Sequence, residues 1–250
     1  LDTHKLNFAN STLVEAESLA VGYLANTGSP AQTRIFSERK EPRDFLFADA
    51  YDYYITDPQN AQYYNTKIPY TNVMYTTMGG SESKNERLKG TLTMNFGPKI
   101  NVGGDLDYIY SRGYYKNNGN KLLSYRLFGS YKSDRYEAHA YLSNFNFINY
   151  ENGGLANDSV ITNPDQYFAG ERNQDDPKAF NTRYPVKAWN RVRGKQYFLS
   201  HHYNLGFERE LEEEVDTLGN PVKVFIPVSS IIHTLEYQDN RRRFRSEADE

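Results

Sequence analysis

The sequence contains no cysteine and a single tryptophan among its 250 residues. The absence of cysteine excludes disulfide bonds, thiolate metal sites and thiol nucleophiles. No apolar run approaches the roughly 18 residues that a membrane-spanning helix requires. If the chain crosses a membrane, it must therefore do so as a β-barrel, because this is the other way to satisfy the backbone in lipid.

An excess of charge of one sign is also lacking, since 29 basic and 32 acidic residues leave a formal net charge of -3. A nucleic-acid-binding protein would show a basic field, so we expect no nucleic-acid partner. The abundant residue is tyrosine, with 22 copies beside 14 phenylalanines. Tyrosine suits places where one end of the ring is wet and the other apolar, such as a membrane interface or a sugar-binding surface.

From about residue 63 onward, apolar and polar residues alternate in stretches that turn residues separate. One such stretch spans residues 88–96, and others span residues 100–110, 123–131, 136–142, about 196–207 and about 229–237. A period of two residues predicts β-strands. Several stretches reach about ten residues, which exceeds the typical soluble strand of about five or six and matches a tilted membrane strand.

The connections between these strands alternate in length. Residues 97–99 and 133–135 form tight turns, whereas residues 112–120 are longer and residues 151–194 form an excursion rich in Asn, Asp and Pro. Short turns at one end and long loops at the other are typical of an outer-membrane barrel. We therefore predict an all-β fold, an antiparallel transmembrane β-barrel with an up-and-down meander, and we expect residues 151–194 to lie outside the cell.

The alternation assigns each strand residue to one of two faces. The apolar face predicts contact with lipid for Leu88, Leu92, Met94, Phe96, Val102, Leu106, Leu123, Leu127 and Leu142. The opposite face would line the lumen, where charge is tolerated and tunes the passage of solutes; its candidates are Asp105, Asp107, Arg126, Glu137, His139 and Glu236. The alternative is the water-exposed face of a soluble sheet.

We divide the chain into an N-terminal segment, residues 1–62, and the barrel strands of residues 63–250, which include the long outer loop. Residues 11–25 fit a strand or a helix, and residues 44–54 alternate aromatic side chains with two aspartates between them. We interpret residues 1–62 as early strands or as a segment that folds inward.

No residue pattern in the chain points to catalysis or to a cofactor. The sequence has no nucleophile elbow, no zinc-protease helix motif and no phosphate-binding loop, so we expect no enzyme activity. His201 and His202 are adjacent, and neighbouring strand residues point to opposite faces, so we expect no metal site there. Residues 241–245 read RRRFR; such a run meets anionic lipopolysaccharide, lines a pore mouth or is a solvated loop.

Three segments carry a resemblance to a known family. Residues 24–36 read LANTGSPAQTRIF, residues 63–71 read YYNTKIPYT and residues 150–154 read YENGG. In this order they resemble segments of the "putative porin" family of Bacteroidota outer membranes. The resemblance implies a β-barrel in the outer membrane of a Gram-negative envelope, and it supplies no catalytic residues. Family members are usually longer, so we expect this chain to be the N-terminal part of a barrel that it does not close alone.

Three functions remain open at this stage. The first is a porin-like channel that passes small solutes by diffusion, with lipid, lipopolysaccharide and possible other envelope proteins as its surroundings. The second is a barrel scaffold that binds partners or supports secretion through its long outer loops. The third is a soluble β-rich carbohydrate-binding domain that uses its tyrosines, which should stay in solution without detergent.

Overall fold

The computed structural model describes residues 20–23, 26–80, 83–163, 181–184, 186–215 and 221–247. Seven strands form one antiparallel sheet in which each strand pairs with the next along the chain. They are β3 (Tyr70–Met78), β4 (Asn85–Phe96), β5 (Ile100–Ser111), β6 (Asn120–Lys132), β7 (Tyr136–Glu151), β8 (Ala188–Val215) and β9 (Pro221–Ser246). The predicted up-and-down antiparallel β fold is confirmed.

The part of the chain before this sheet has little regular structure. Strands β1 (Val21–Tyr23) and β2 (Ala31–Thr33) form a separate two-stranded antiparallel sheet. Short 3₁₀ segments follow at Phe36–Glu38 and Leu46–Tyr54. Later in the chain, between β7 and β8, one helical turn, α1, lies at Ser159–Thr162. Most of residues 11–25 lies outside the described residues. No helix among those described is long and apolar enough to span a membrane.

The connections define two ends of the sheet. Residues 97–99 and 133–135 lie at one end, which we call the turn end, and residues 79–84, 112–119 and 152–187 lie at the other, the loop end. Gly97 adopts a φ of 69° in its turn, a conformation that glycine reaches without steric cost. The long loop was predicted to reach residue 194, but β8 already begins at Ala188.

Strands β8 and β9 are longer than the sequence pattern predicted. They contain 28 and 26 residues, whereas alternation was visible only at about 196–207 and 229–237. Residues 241–245 are therefore part of β9 and not of a loop. Near the loop end the outer face of β8 carries arginine and lysine, whereas Ala188 and Val192 on its inner face are buried, so the apolar phase of residues 196–207 does not continue there.

The two faces of the sheet have different surroundings. Residues 26–66 pack on the face that carries Asp105, Arg126 and Phe147, which we call the inner face. The opposite, outer face carries Leu92, Leu127 and Tyr197, whose side chains are about half exposed. Because side chains alternate along each strand, neighbouring residues such as Arg126 and Leu127 fall on different faces.

The apolar core lies between the inner face and residues 45–55. Its buried members are Ala48, Tyr51, Tyr54, Ile55, Ile109, Leu122, Phe145, Phe147 and Val192. The ring centroid of fully buried Phe147 lies 5.2 Å from that of Tyr51. Burial of one such side chain contributes about 1.5–3 kcal/mol, so this cluster holds the segment against the sheet.

A glycine on the inner face allows an aromatic ring to approach the backbone. A Cβ atom on Gly103 would lie 2.4 Å from the ring of Phe128 on the neighbouring strand. The register of β5 with its neighbours continues through Gly103 without a bulge. Gly103 therefore marks a tight contact between the backbone of β5 and the ring of Phe128.

Within the described residues the sheet is open. β3 pairs only with β4, and β9 pairs only with β8, so each presents one unpaired edge. Such edges expose backbone N–H and C=O groups that need partners in a nonpolar environment. This arrangement agrees with the prediction of a partial barrel.

Candidate functional site: a charged cleft on the inner face

A polar cleft of about 630 Å³ lies between residues 40–64 and the inner face of β4–β7. The segment forms its roof with Lys40, Asp52 and Gln62 among others, and the strands form its floor. Floor side chains include Arg87, Lys89, Thr91, Asp105, Asp107, Ser124, Arg126 and Ser143. The cleft therefore holds side chains that are charged or capable of hydrogen bonding.

Two arginine–aspartate pairs cross between strands on the floor. Arg126 of β6 donates from Nε to Asp105 Oδ2 of β5 at 2.8 Å, in register. Arg87 of β4 donates from Nε to Asp107 Oδ1 at 2.9 Å. The desolvation of such buried charges offsets much of their attraction, so the pairs add little net stability. Their main effect is the electric field that they create in the cleft.

Arg126 also links the sheet to the roof. Its Nη2 donates to the backbone oxygen of Gln62 at 3.1 Å, and its guanidinium lies 4.7 Å from the ring centroid of Phe128. The rings of Tyr63 and Tyr64 pack on Phe128 at 6.1 and 5.6 Å. One buried arginine and three aromatic rings thus add a second contact to the apolar cluster that holds the roof.

A second group of ion pairs stiffens the roof itself. Arg43 binds both Asp52 and Asp57, with a distance of 2.6 Å from its Nη1 to Asp57 Oδ1. Lys40 Nζ lies 2.8 Å from Asp52 Oδ2. Burial raises the pKa of Asp57 above its usual range, although the nearby positive charge of Arg43 opposes the shift. These pairs fold the segment back on itself beside the cleft.

The structure brings three of the six predicted lumen residues into the cleft, namely Asp105, Asp107 and Arg126. Glu137, His139 and Glu236 lie on the same face but outside the cleft. Glu137 Oε1 lies 3.0 Å from His139 Nε2, and its other oxygen lies 3.5 Å from His202. Glu236 accepts a hydrogen bond of 2.9 Å from Gln196.

The adjacent histidines point to opposite faces of β8. His202 approaches Glu137 on the inner face, whereas the ring of His201 meets that of His233 on the outer face, with a distance of 3.2 Å between nitrogens. The described residues contain no cluster of three or more His, Asp or Glu side chains that could hold a metal ion.

The sequence did not single out Arg87 or any residue of the roof. Arg87 continues the polar phase of Lys89 and Thr91, but the predicted strand began one residue later, at residue 88. The roof residues lie in irregular structure, where no periodicity exists to show which side chains meet the sheet. For the part of the chain that contains them, the sequence left two interpretations open, early strands or a segment that folds inward.

The nine residues predicted to meet lipid all lie on the outer face. Phe96 and Leu127 are more than half exposed, Leu92 is nearly half exposed, and Val102, Leu106 and Leu142 are about two-fifths exposed. Leu88, Met94 and Leu123 are partly buried by their strand neighbours. Among the residues that the structure describes, no second sheet or helix covers this face.

Comparison with known families decides the identity of the chain. The family model described as "Putative porin" matches residues 1–250. The chain belongs to this family. Neither a curated protein nor a solved structure matches it. For a member of a porin family, a sheet with an exposed apolar face and a charged opposite face is the expected construction of a barrel wall.

Proposed function

We propose that this porin-family chain forms part of the wall of an outer-membrane channel, through which small solutes pass by diffusion. The observation that carries the proposal is the contrast between the two faces of one continuous sheet. The outer face exposes leucine, valine, phenylalanine and tyrosine, and the inner face carries paired charges beside a polar cleft. A soluble sheet would have no reason to expose the first set to water.

The cleft would form part of the passage. Four of its lining side chains are basic, namely Lys40, Arg87, Lys89 and Arg126, and three are acidic, namely Asp52, Asp105 and Asp107. Because the charges nearly balance, we expect weak preference for anions and ready passage of neutral polar solutes. Passage requires no bond to form or break, so the selection is by size and charge.

The roof would narrow this passage. Residues 40–64 cover the inner face of β4–β7, and the apolar cluster around Phe147 holds them in place. A lumen that is partly filled by its own chain passes smaller solutes than an empty one of the same strand number. We therefore expect a small unitary conductance.

Conductance across a planar lipid bilayer tests the proposal. The intact protein, purified from membranes in mild detergent, should insert and produce discrete current steps in potassium chloride. Heat-denatured protein serves as the control for detergent artefacts. Protein that keeps its folded electrophoretic mobility but never produces steps would contradict the channel and support the alternative, a scaffold that acts through its long outer loops.

A further inference from the structure

The outer face of β8 and β9 carries a dense group of basic side chains close to the loop end. They are Arg191, Arg193 and Lys195 on β8 and Arg241, Arg243 and Arg245 on β9, and we call them the basic patch. Alternation separates them from Arg242, which turns inward and lies 4.5 Å from the ring centroid of Phe47. All six except Arg191 are exposed.

Pairing in the sheet sets like charges against each other in this patch. Arg193 is the direct partner of Arg241, and Arg191 is the direct partner of Arg243. Like charges directly opposite on neighbouring strands destabilise a sheet. The arrangement is therefore unfavourable by itself and becomes favourable when an anion lies between the guanidinium groups.

The sheet supplies little of that negative charge. Asp239 is the acidic residue within the patch, and it accepts a hydrogen bond of 3.3 Å from Arg241. Arg191 donates to Asn146, which is neutral, at 2.6 Å. Arg193 and Arg243 make no hydrogen bond or ion pair with any residue that the structure describes. Among the residues that the structure describes, Arg191, Arg193, Lys195 and Arg243 thus have no carboxylate partner.

The patch ends where an apolar band begins. Two residues after Lys195 comes Tyr197, whose ring centroid lies 6.0 Å from that of its partner Tyr237. The next pair on the outer face, farther from the loop end, is Leu199 and Leu235. Tyrosines at the border between charged and apolar side chains mark the level of lipid headgroups. Phosphates at that level would lie beside the basic patch.

A groove of about 360 Å³ lies in the apolar band and includes the pair Tyr197 and Tyr237, two residues along their strands from Lys195 and Asp239. Its floor is low because Gly129 and Ala140, which are direct partners, have almost no side chain. Leu127, Leu142, Tyr197, Leu199, Leu235 and Tyr237 line its sides. A shallow apolar channel of this kind fits an acyl chain.

We propose that the basic patch and this groove together bind one phosphorylated, multiply acylated glycolipid of the lipopolysaccharide class. The phosphates lie between the opposed arginines, and an acyl chain lies over Gly129 and Ala140. Four basic side chains without a carboxylate partner among the described residues match a headgroup with more than one phosphate better than a lipid with only one. The proposal rests on the membrane orientation that we infer for the sheet, but it does not require the barrel to conduct.

The tryptophan of the chain provides the measurement. Trp189 is the single tryptophan, and it is the direct partner of Arg245 at the edge of the patch. Diphosphoryl lipid A, added to the intact protein in mild detergent, should change the fluorescence of Trp189 in a saturable manner. Monophosphoryl lipid A should bind more weakly, phosphatidylglycerol more weakly again, and inorganic phosphate least. The affinity for diphosphoryl lipid A should fall as salt is added, because the contacts are ionic.

Substitutions distinguish binding at the basic patch from binding by basic residues elsewhere on the protein. R193Q/R241Q should weaken the binding of diphosphoryl lipid A by about tenfold or more, since charge-assisted hydrogen bonds to phosphate are lost. R193K/R241K, which keeps the charge, should restore most of the affinity. The matched control is R209Q/K223Q, two basic residues on the same hairpin near the turn end. This control should bind as the unmodified protein does.

Two results would overturn the proposal. One is an unchanged affinity in R193Q/R241Q, and the other is equal binding of phosphatidylglycerol and diphosphoryl lipid A. The conductance of R193Q/R241Q should equal that of the unmodified protein, because both arginines lie on the outer face. A protein that binds the glycolipid but does not conduct would contradict the channel alone.

Discussion

Arg126 donates a hydrogen bond of 3.1 Å to the backbone oxygen of Gln62, and so a residue of the wall holds the roof of the cleft in place. The same guanidinium binds Asp105 on the neighbouring strand. One side chain therefore contributes both to the field in the cleft and to the position of the roof over the proposed passage.

Replacement of Arg126 with glutamine should move ion selectivity toward cations. Asp105 then keeps its negative charge without its cationic partner, and one of the four basic groups in the cleft is lost. The reversal potential in a potassium chloride gradient measures the change. Lys121→Gln is the matched control, because Lys121 lies exposed on the outer face of the same strand. An equal shift in both variants would mean that the cleft is not on the conduction path.

Replacement of Gly103 with alanine should loosen the roof. The added Cβ would meet the ring of Phe128 at 2.4 Å, and Tyr64 packs on that ring. We expect a loss of about 1–3 kcal/mol in the free energy of unfolding, the usual cost of overpacking. Chemical denaturation of the protein folded into lipid vesicles measures it.

The adjacent Gly104 offers a control for this packing argument. A Cβ there would approach only the end of the Leu127 side chain, at 3.0 Å, and the backbone oxygen of Arg126 at 3.4 Å. Because Leu127 is flexible and exposed, Gly104→Ala should cost clearly less than Gly103→Ala. Equal costs would show that Phe128 does not occupy the position described.

Replacement of Leu127 with arginine should destabilise the protein in lipid by about 2–4 kcal/mol, if the residue lies near the bilayer midplane. Leu127 is on the outer face, in the middle of the apolar stretch of β6. Unfolding in vesicles gives the free energy, and Leu127→Ala controls for the loss of the leucine side chain. A cost no greater for arginine than for alanine would place Leu127 in water.

Proteolysis of intact cells should show the orientation of the sheet. Loop 152–187 contains Arg172, Lys178 and Arg183, and the turns at the other end contain Lys99 and Arg135. Trypsin added from outside should cleave in the loop and spare the turns, because long loops face outward in such barrels. Cleavage at Lys99 and Arg135 with an intact loop would invert the assignment.

The sequence predicted the strands where the two faces differ in polarity. In β6, Leu123, Tyr125 and Leu127 alternate with Ser124 and Arg126, and this contrast alone indicates the strand and its faces. The pattern failed for Ala188–Lys195 and for residues 241–245. There the outer face carries arginine and lysine instead of apolar side chains, and in β8 the buried apolar residues Ala188 and Val192 lie on the inner face. The apolar phase of the neighbouring stretch is therefore interrupted, although the side chains continue to alternate in direction.

The cleft was only half predictable for a different reason. Asp105, Asp107 and Arg126 lie on strands, and their face follows from the period of two. The roof residues of the cleft, Asp52, Gln62 and Tyr64, lie in 3₁₀ turns and irregular backbone. The direction of that backbone depends on contacts with Phe128 and Phe147, which are far away in the sequence. Such contacts leave no local pattern.

The most direct test of the central claim uses the absence of cysteine, since a single introduced cysteine can be spin-labelled without background. Labels would be placed along β6 at Leu123, Tyr125 and Leu127 on the outer face and at Ser124 and Ser130 on the inner face. In lipid vesicles, dissolved oxygen should broaden the spectra of the labels on the outer face. A water-soluble nickel chelate should broaden the spectra of the labels on the inner face. Equal access of the nickel chelate to both groups would contradict a membrane wall with a lipid face and a polar lumen.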